Sequence, residues 1–391
     1  MTVFGGYFTI IFGIMGLLTN AQHTGSNHHS GNIHQKHCSV TEVKHYPAPK
    51  AFRAPVIDGR LTDDVWDNAA YTSDFGNIQG PHGPTPPISL LTRTKVTWDD
   101  RFVYIGAMLF DPYIAANTTR LDSNSKDFVD NTFEMYLDVD RTNHNYKRIQ
   151  VNPLGVYRAV EFNKPPADGG TEKIWDLGSD FKIRTYASHE VHVVHSIDEI
   201  YYGQPNLNSY WSVEMAIPIH RLRNIVKRGP GEEDGYSNFN FMRSGWPPKS
   251  VEGGEEESRR RRRRAHIPAH LQRYHYTWSP QYSNDIQNPE WWGTVYFSNQ
   301  TKDACFQPDV SYNTRFVLMQ IYRAQKAYHQ QTGRFTADIY ALNTDNPMWN
   351  TCTPSPKIQL TNHTHGFQAT IRMGELYGHI REDRYLWFSR Y

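Results

Sequence analysis

The sequence predicts a mainly β protein: a two-sheet antiparallel β-sandwich followed by a small C-terminal α+β unit. Three observations carry that expectation. Asp130–Asp140, DNTFEMYLDVD, alternates as a half-buried strand must, with Phe133, Met135 and Leu137 on one side and Thr132, Glu134 and Tyr136 on the other. Short runs of this kind recur between Gly, Pro, Asn and Asp turn signals as far as Ser298, with no helix longer than a turn or two required. Beyond Ser298 the apolar residues change to a helical period.

The chain has 391 residues and a formal net charge of +1, so no global field is available to recruit nucleic acid. Aromatic residues make up 14% of it, an excess that suits a β protein binding a planar or pyranose ligand as well as a tyrosine-rich outer sheet face. Residues 1–22 read as a signal peptide, with an apolar run from Phe4 to Leu18 and small-residue cleavage chemistry at Thr19-Asn20-Ala21. The run is shorter than the roughly 20 residues a membrane span needs. We therefore expect a secreted, extracellular protein with no membrane span after cleavage. Residues 23–45 form a His-rich linker containing His28, His29, His34 and His37. Asn117, Asn299 and Asn362 each head a glycan acceptor pattern. In an oxidising compartment Cys305 and Cys352 are expected to form a disulfide, which leaves Cys38 over.

The folded part starts near Tyr46 and runs to about residue 300. Pro55–Gly59 is a strand ending in an Asp-Gly turn. Leu61, Val65 and Trp66 follow at helical spacing, and Trp66 plugs into the core. Ile78–Pro87 is a loop, because Pro and Gly deny it a ladder. Thr94–Trp98 and Phe102–Phe110 pair through Asp99-Asp100. Asp130–Asp140 and Arg148–Phe162 are hairpin neighbours joined by RTNHNY. Phe181–Thr185, Val191–His195, Trp211–Ile217, Phe239–Arg243 and Trp291–Phe297 supply further strands, and Pro218–Leu222 opens a short helical turn. Residues 301–391 hold a helix over Asn313–Gln331 capped by Gly333, and a second short helix over Thr336–Leu342. Strand-like runs follow at Lys357–Thr361, Gly366–Met373 and Arg384–Ser389.

Alternation brings Glu134, Gln150 and Asn152 to one sheet face. A carboxylate that accepts and carboxamides that both give and accept are the groups that hold sugar hydroxyls. Arg243 offers a guanidinium fork, with a structural ion pair as its other reading, and Trp175 and Trp278 offer stacking faces or core aromatics. The run Arg259–Arg264 is a sulfated-glycan patch, a proprotein-type cleavage site, or a solvated loop balanced by Glu255–Glu257.

DNTFEMYLDVD, followed by HNY and QVNPLG, resembles the family 9 carbohydrate-binding modules and their larger family 9-like relatives. PVIDGRLTDDVWDNAA, TKVTWDDRFVYIGAMLFDP, WSVEMAIPIHRL, FNFMRSGW, YTWSPQ and PEWWGTVYFS extend the resemblance in order from Tyr46 to Ser298. The resemblance implies a β-sandwich in which two tryptophans clamp a terminal pyranose while a carboxylate, an Arg and amides hold its hydroxyls. Glu134 stands at the carboxylate's position and Gln150 at that of the strand Arg. Asp127-Phe128-Val129 and Ile286–Pro289 stand where the clamps belong, without a tryptophan. Structural calcium is also implied, with Asp138, Asp140 and Asn143 as the nearest oxygen donors.

The function expected is non-catalytic recognition of an oligosaccharide or polysaccharide, as in modules linked to glycoside hydrolysis and carbohydrate catabolism. No nucleophile elbow, HExxH, P-loop or GxGxxG occurs. A hydrolase of O-glycosyl bonds would need a second carboxylate beside Glu134, from Asp138, Glu161, Asp176 or Glu214. The alternative is an extracellular adhesive or structural β protein that has lost the sugar site and binds protein partners.

Overall fold

The computed structural model describes residues 43–120, 128, 130–195, 199–200, 205–222, 235–246, 273–342 and 358–390. The signal peptide, the His-rich linker up to residue 42, Asp127, the Arg259–Arg264 run, Cys38 and Cys352 lie outside these residues. Cys305 is exposed and free rather than bridged as expected, and Cys352 is among the residues not described.

In chain order the strands are β1 (His45–Ala48), β2 (Gly76–Asn77), β3 (Thr92–Trp98), β4 (Phe102–Phe110), β5 (Ala115–Ala116), β6 (Thr132–Asp138), β7 (Lys147–Val151) and β8 (Tyr157–Phe162). They continue as β9 (Glu172–Ile174), β10 (Lys182–Ala187), β11 (His192–Val193), β12 (Tyr210–Pro218), β13 (Tyr236–Gly245), β14 (Tyr274–Thr277) and β15 (Gly293–Phe297). The larger sheet runs β1-β15-β13-β6-β7-β8-β9, with β14 and β2 added beside β13. The smaller runs β10-β12-β4-β3. Every ladder in these two sheets is antiparallel except β1–β15.

The alternation decides which sides meet. Phe133, Met135 and Leu137 from the larger sheet pack against Ile105, Trp211, Val213 and Met215 from the smaller one, and all are buried. Each such side chain contributes roughly 1.5–3 kcal/mol of burial, which locks the register, because a one-residue slip would turn the apolar set outward. Over the outer face of the smaller sheet lies the 3-10 turn Asp64–Asn68, shorter than the helical spacing suggested, with Trp66 fully buried as expected.

Residues 301–391 form the α+β unit. Helix α1 (Tyr312–Thr332) ends at Gly333, whose φ of 73° supplies the left-handed cap. It packs on a four-stranded antiparallel sheet of β16 (Ile358–His363), β17 (Gly366–Met373), β18 (Leu376–Arg381) and β19 (Leu386–Arg390). The expected second helix over Thr336–Leu342 is only a 3-10 turn, Ile339–Ala341, capped by Asp338. Strand β18 has no counterpart in the sequence reading, because Gly378 and His379 interrupt its apolar alternation.

This unit is fastened to the sandwich. Arg141 and Asp309 pair at 2.5 Å with both side chains almost fully buried. Asp168, also buried, receives Arg384 at 2.9 Å, Lys326 at 3.0 Å and the Tyr322 hydroxyl. The turn between β6 and β7 is the socket. Arg141, Asn143 and Asn145 all hold positive φ there. Asn143 donates to the Arg384 carbonyl, and the Leu386 amide donates to the Thr142 carbonyl.

Candidate functional site

Glu134 and Gln150 are direct cross-strand partners, so they share the outer face of the larger sheet, as the alternation predicts. Thr132 and Tyr136 share it from β6, Arg148 from β7, Arg158 from β8, Ser244 from β13 and His275 from β14. The Glu134 carboxylate accepts from the Tyr136 hydroxyl at 2.8 Å, Ser244 Oγ at 3.2 Å and Thr132 Oγ1 at 3.3 Å. Ser244 Oγ in turn lies 2.9 Å from His275 Nδ1. Burial, then the neighbouring Arg273, push the His275 imidazole down and keep it neutral. Burial, then Glu134, push the Tyr136 hydroxyl well up, so it stays a donor. Arg158 Nη2 is held by Glu172 Oε1 at 2.7 Å. Gln150 Oε1 is buried, and among the described residues it has no hydrogen-bond partner.

Carboxylate, carboxamide, hydroxyls, imidazole and two guanidinium groups therefore share one face. Sequence reasoning named Glu134 and Gln150 as site residues, set Thr132 and Tyr136 on the same face without a role, and missed the rest. Arg148 shares its parity with Gln150 and was legible. Arg158, Ser244 and His275 need the register of other strands.

Residues 57–225 match the profile described as "Carbohydrate family 9 binding domain-like". This stretch belongs to that family. A family 9 module from Caldicellulosiruptor kristjanssonii in complex with cellotriose is similar at 16% identity, over 68% of this chain and 100% of that one, with a TM-score of 0.38. The same organism's module in complex with glucose gives 16%, 67%, 100% and 0.37. A putative carbohydrate-binding protein from Bacteroides uniformis gives 13%, 66%, 100% and 0.41. None of the curated proteins matches the chain.

Four expected site residues of the family 9-like domain and its flank are placed elsewhere. Arg243 is paired across from Phe133, so it points into the sandwich, away from Glu134. There it is fully buried, pairs with Asp111 at 2.8 Å and donates to the Leu90 and Phe110 carbonyls. Trp278 is a core aromatic, edge-on to Tyr46 and tilted on Phe241. Trp175 is likewise in the core, with the Lys147 ammonium over its ring. Asn152 has the right parity but ties a turn. Its Nδ2 donates to Asp130 and to the Thr118 carbonyl, and its Oδ1 accepts from the amides of Leu154 and Val156. Even spacing cannot show which face of a strand looks inward at Arg243, because a buried arginine needs a buried aspartate that only the fold supplies.

The donor set proposed for calcium does not fit a cage. Asp138 is fully buried and accepts from the amides of Thr142 and Asn143. Asp140 accepts from the Thr142 hydroxyl, and the Asn143 amide donates to the C-terminal unit. Among the described residues no group of three or more His, Cys, Asp or Glu side chains converges. A hard cation needs six to eight oxygens.

Proposed function

We propose that the family 9-like domain binds the end of a glycan at the outer face around Glu134 and Gln150, without hydrolysing it. The observation that carries this reading is the unpartnered Gln150 Oε1 beside Glu134. A buried acceptor without a donor costs roughly 1–3 kcal/mol, and a sugar hydroxyl is a donor of the right kind. The two sugar complexes among the similar structures agree with this ligand class.

The carboxylates that could have made a glycosidase pair are dispersed, which supports binding rather than hydrolysis. Glu161 shares its parity with Lys147 and Leu137 on the opposite face. Asp138 is held in its turn, Asp176 pairs with Arg221 at 3.1 Å, and Glu214 belongs to the other sheet. The apolar run Phe4–Leu18 supports export of the protein.

Titration of the full chain with glucose, cellotriose and a panel of neutral and acidic oligosaccharides, read by calorimetry, tests the proposal. Glu134→Ala is expected to lose on the order of 2 kcal/mol, some thirtyfold in affinity, with unchanged circular dichroism. Absence of binding to every sugar at millimolar concentration, or unfolding of Glu134→Ala, gives the adhesive reading instead.

A further inference from the structure

The hydrogen bonds around Glu134 run in one direction only, and that direction sets the tautomer of His275. A carboxylate accepts and cannot donate, and a hydroxyl has a single proton to give. Thr132 Oγ1 gives its proton to Glu134 across 3.3 Å and accepts from Arg273 Nη2 at 3.3 Å. Ser244 Oγ gives its proton to Glu134 across 3.2 Å, so it must accept from its other neighbour, His275 Nδ1, at 2.9 Å. Nδ1 therefore carries the imidazole proton, and in the neutral ring Nε2 is left as an acceptor. The other tautomer would make Nδ1 and Glu134 compete for the one Ser244 proton.

The ring stands where a ligand of this face would meet it. Ser244 lies opposite Thr132 on β6 and opposite His275 on β14, so His275 shares the outer face with Glu134 and Gln150. His275 is half-buried, and among the described residues its Nε2 has no hydrogen-bond partner. The charged groups facing it are Arg273, just before its own strand, and Glu134 from β6. β13 faces it with Ser244 and Met242, and β2 brings only Gly76 and Asn77. Burial and then Arg273 disfavour the imidazolium, Glu134 favours it, and the balance is downward. The face thus presents three acceptors: the Glu134 carboxylate, Gln150 Oε1 and His275 Nε2. Such a set asks for donors. Sugar hydroxyls supply them, whereas a carboxylate or sulfate would set acceptor against acceptor.

We infer that His275 is a specificity-determining residue of this face, whose Nε2 accepts a hydroxyl of a neutral sugar and is closed to it when the ring is protonated. The inference rests on the saccharide reading above and adds to it the class of sugar and a dependence on pH. A sugar laid over the ring removes water from it beside Arg273, so binding selects the neutral form.

The nitrogen NMR spectrum of the sugar-free full chain near neutral pH should show His275 protonated at Nδ1, and Ser244→Ala should move the proton toward Nε2. In calorimetry, affinity for glucose and cellotriose should fall about fivefold, the value of one hydrogen bond, as the pH drops below the ordinary imidazole value of 6.5. His275→Asn keeps a donor at the place of Nδ1 with nothing at Nε2, and should lose about fivefold near neutral pH. His275→Gln sets a carbonyl oxygen at the place of Nε2, and should restore affinity while flattening its pH dependence. A residue that only held Ser244 would give the reverse order, with Asn tolerated and Gln not. The tautomer is read on the wild-type chain, so it decides even where a variant fails to fold. A wild-type ring protonated at Nε2, wild-type affinity in His275→Asn, or binding of acidic sugars alone overturns the inference and leaves the saccharide reading standing. If wild type binds neither glucose, cellotriose nor any other sugar of the panel, both fall.

Discussion

Gln150 and Arg243 show how differently a polar residue is used on the two faces of one sheet. Gln150 Oε1 is buried beside Glu134 without a partner among the described residues. Removing an unsatisfied acceptor relieves its desolvation penalty, so Gln150→Leu should leave the melting temperature unchanged or raise it while weakening sugar binding. Calorimetry and thermal unfolding on the same sample check the pair of outcomes. Arg243 is the reverse case. Truncating one partner of a buried pair strands the other, and Arg243→Met should cost about 3–5 kcal/mol by leaving Asp111 uncompensated. Trp278→Ala opens a cavity between Tyr46 and Phe241 and should cost a similar ~3–5 kcal/mol. Urea unfolding measures both, and sugar affinity per folded molecule should stay at the wild-type value.

At the scale of elements, the smaller sheet is closed on its outer side by a turn held from below. Glu214, in the middle of β12, accepts from the amides of Asp58 and Gly59 at 3.0 and 2.9 Å and from Trp66 Nε1 at 2.8 Å. Gly59 is required there, since its φ is 92° and a Cβ would lie 2.6 Å from the Thr185 backbone. Burial raises the Glu214 carboxyl from 4.5 to about 7, against the pull of these three donors. A carboxyl raised in the folded state binds its proton more tightly there than in the unfolded chain. The resulting stability is complete below pH 4.5 and is lost as the pH rises through about 7. The melting temperature should therefore fall across that window, and Glu214→Gln should flatten the fall when the two proteins are scanned in parallel.

At the largest scale, the described residues form a sandwich with its C-terminal unit fastened on through charge pairs buried from water. Burial pushes the Asp309 carboxyl up, but Arg141 and Arg315, with hydrogen bonds from Arg141 and Ser311, outweigh it and hold it at about 2. This contribution is present above the ordinary value of 3.8 and is lost as the pH falls through about 2. Asp309→Asn should remove about 2–3 kcal/mol near neutral pH and shallow the acid limb of the unfolding profile. Ending the chain at residue 300 would strip Arg141 of Asp309 and Asp168 of Arg384 at once. Such a truncated chain should unfold at a lower temperature than the intact protein, or aggregate, in differential scanning calorimetry.

The sequence by itself determined most of the strands, the sandwich, the helix Tyr312–Thr332 and the pairing of Glu134 with Gln150, but it set a strand at Pro55–Gly59 where the structure has an irregular turn and it missed β18. What it determined rests on side-chain period and short turns, which are local properties of the chain. Tertiary structure alone decided what Arg243, Trp175, Trp278 and the Asp138–Asn143 turn do. A period of two says that Arg243 and Glu134 face opposite ways only once the strands holding them are set in register, and residues 243 and 134 lie far apart in sequence. The same holds for the turn. Its aspartates and asparagine look like cation ligands in isolation, and they become a socket because Arg384 and Leu386, more than two hundred residues later, arrive to hydrogen-bond with it.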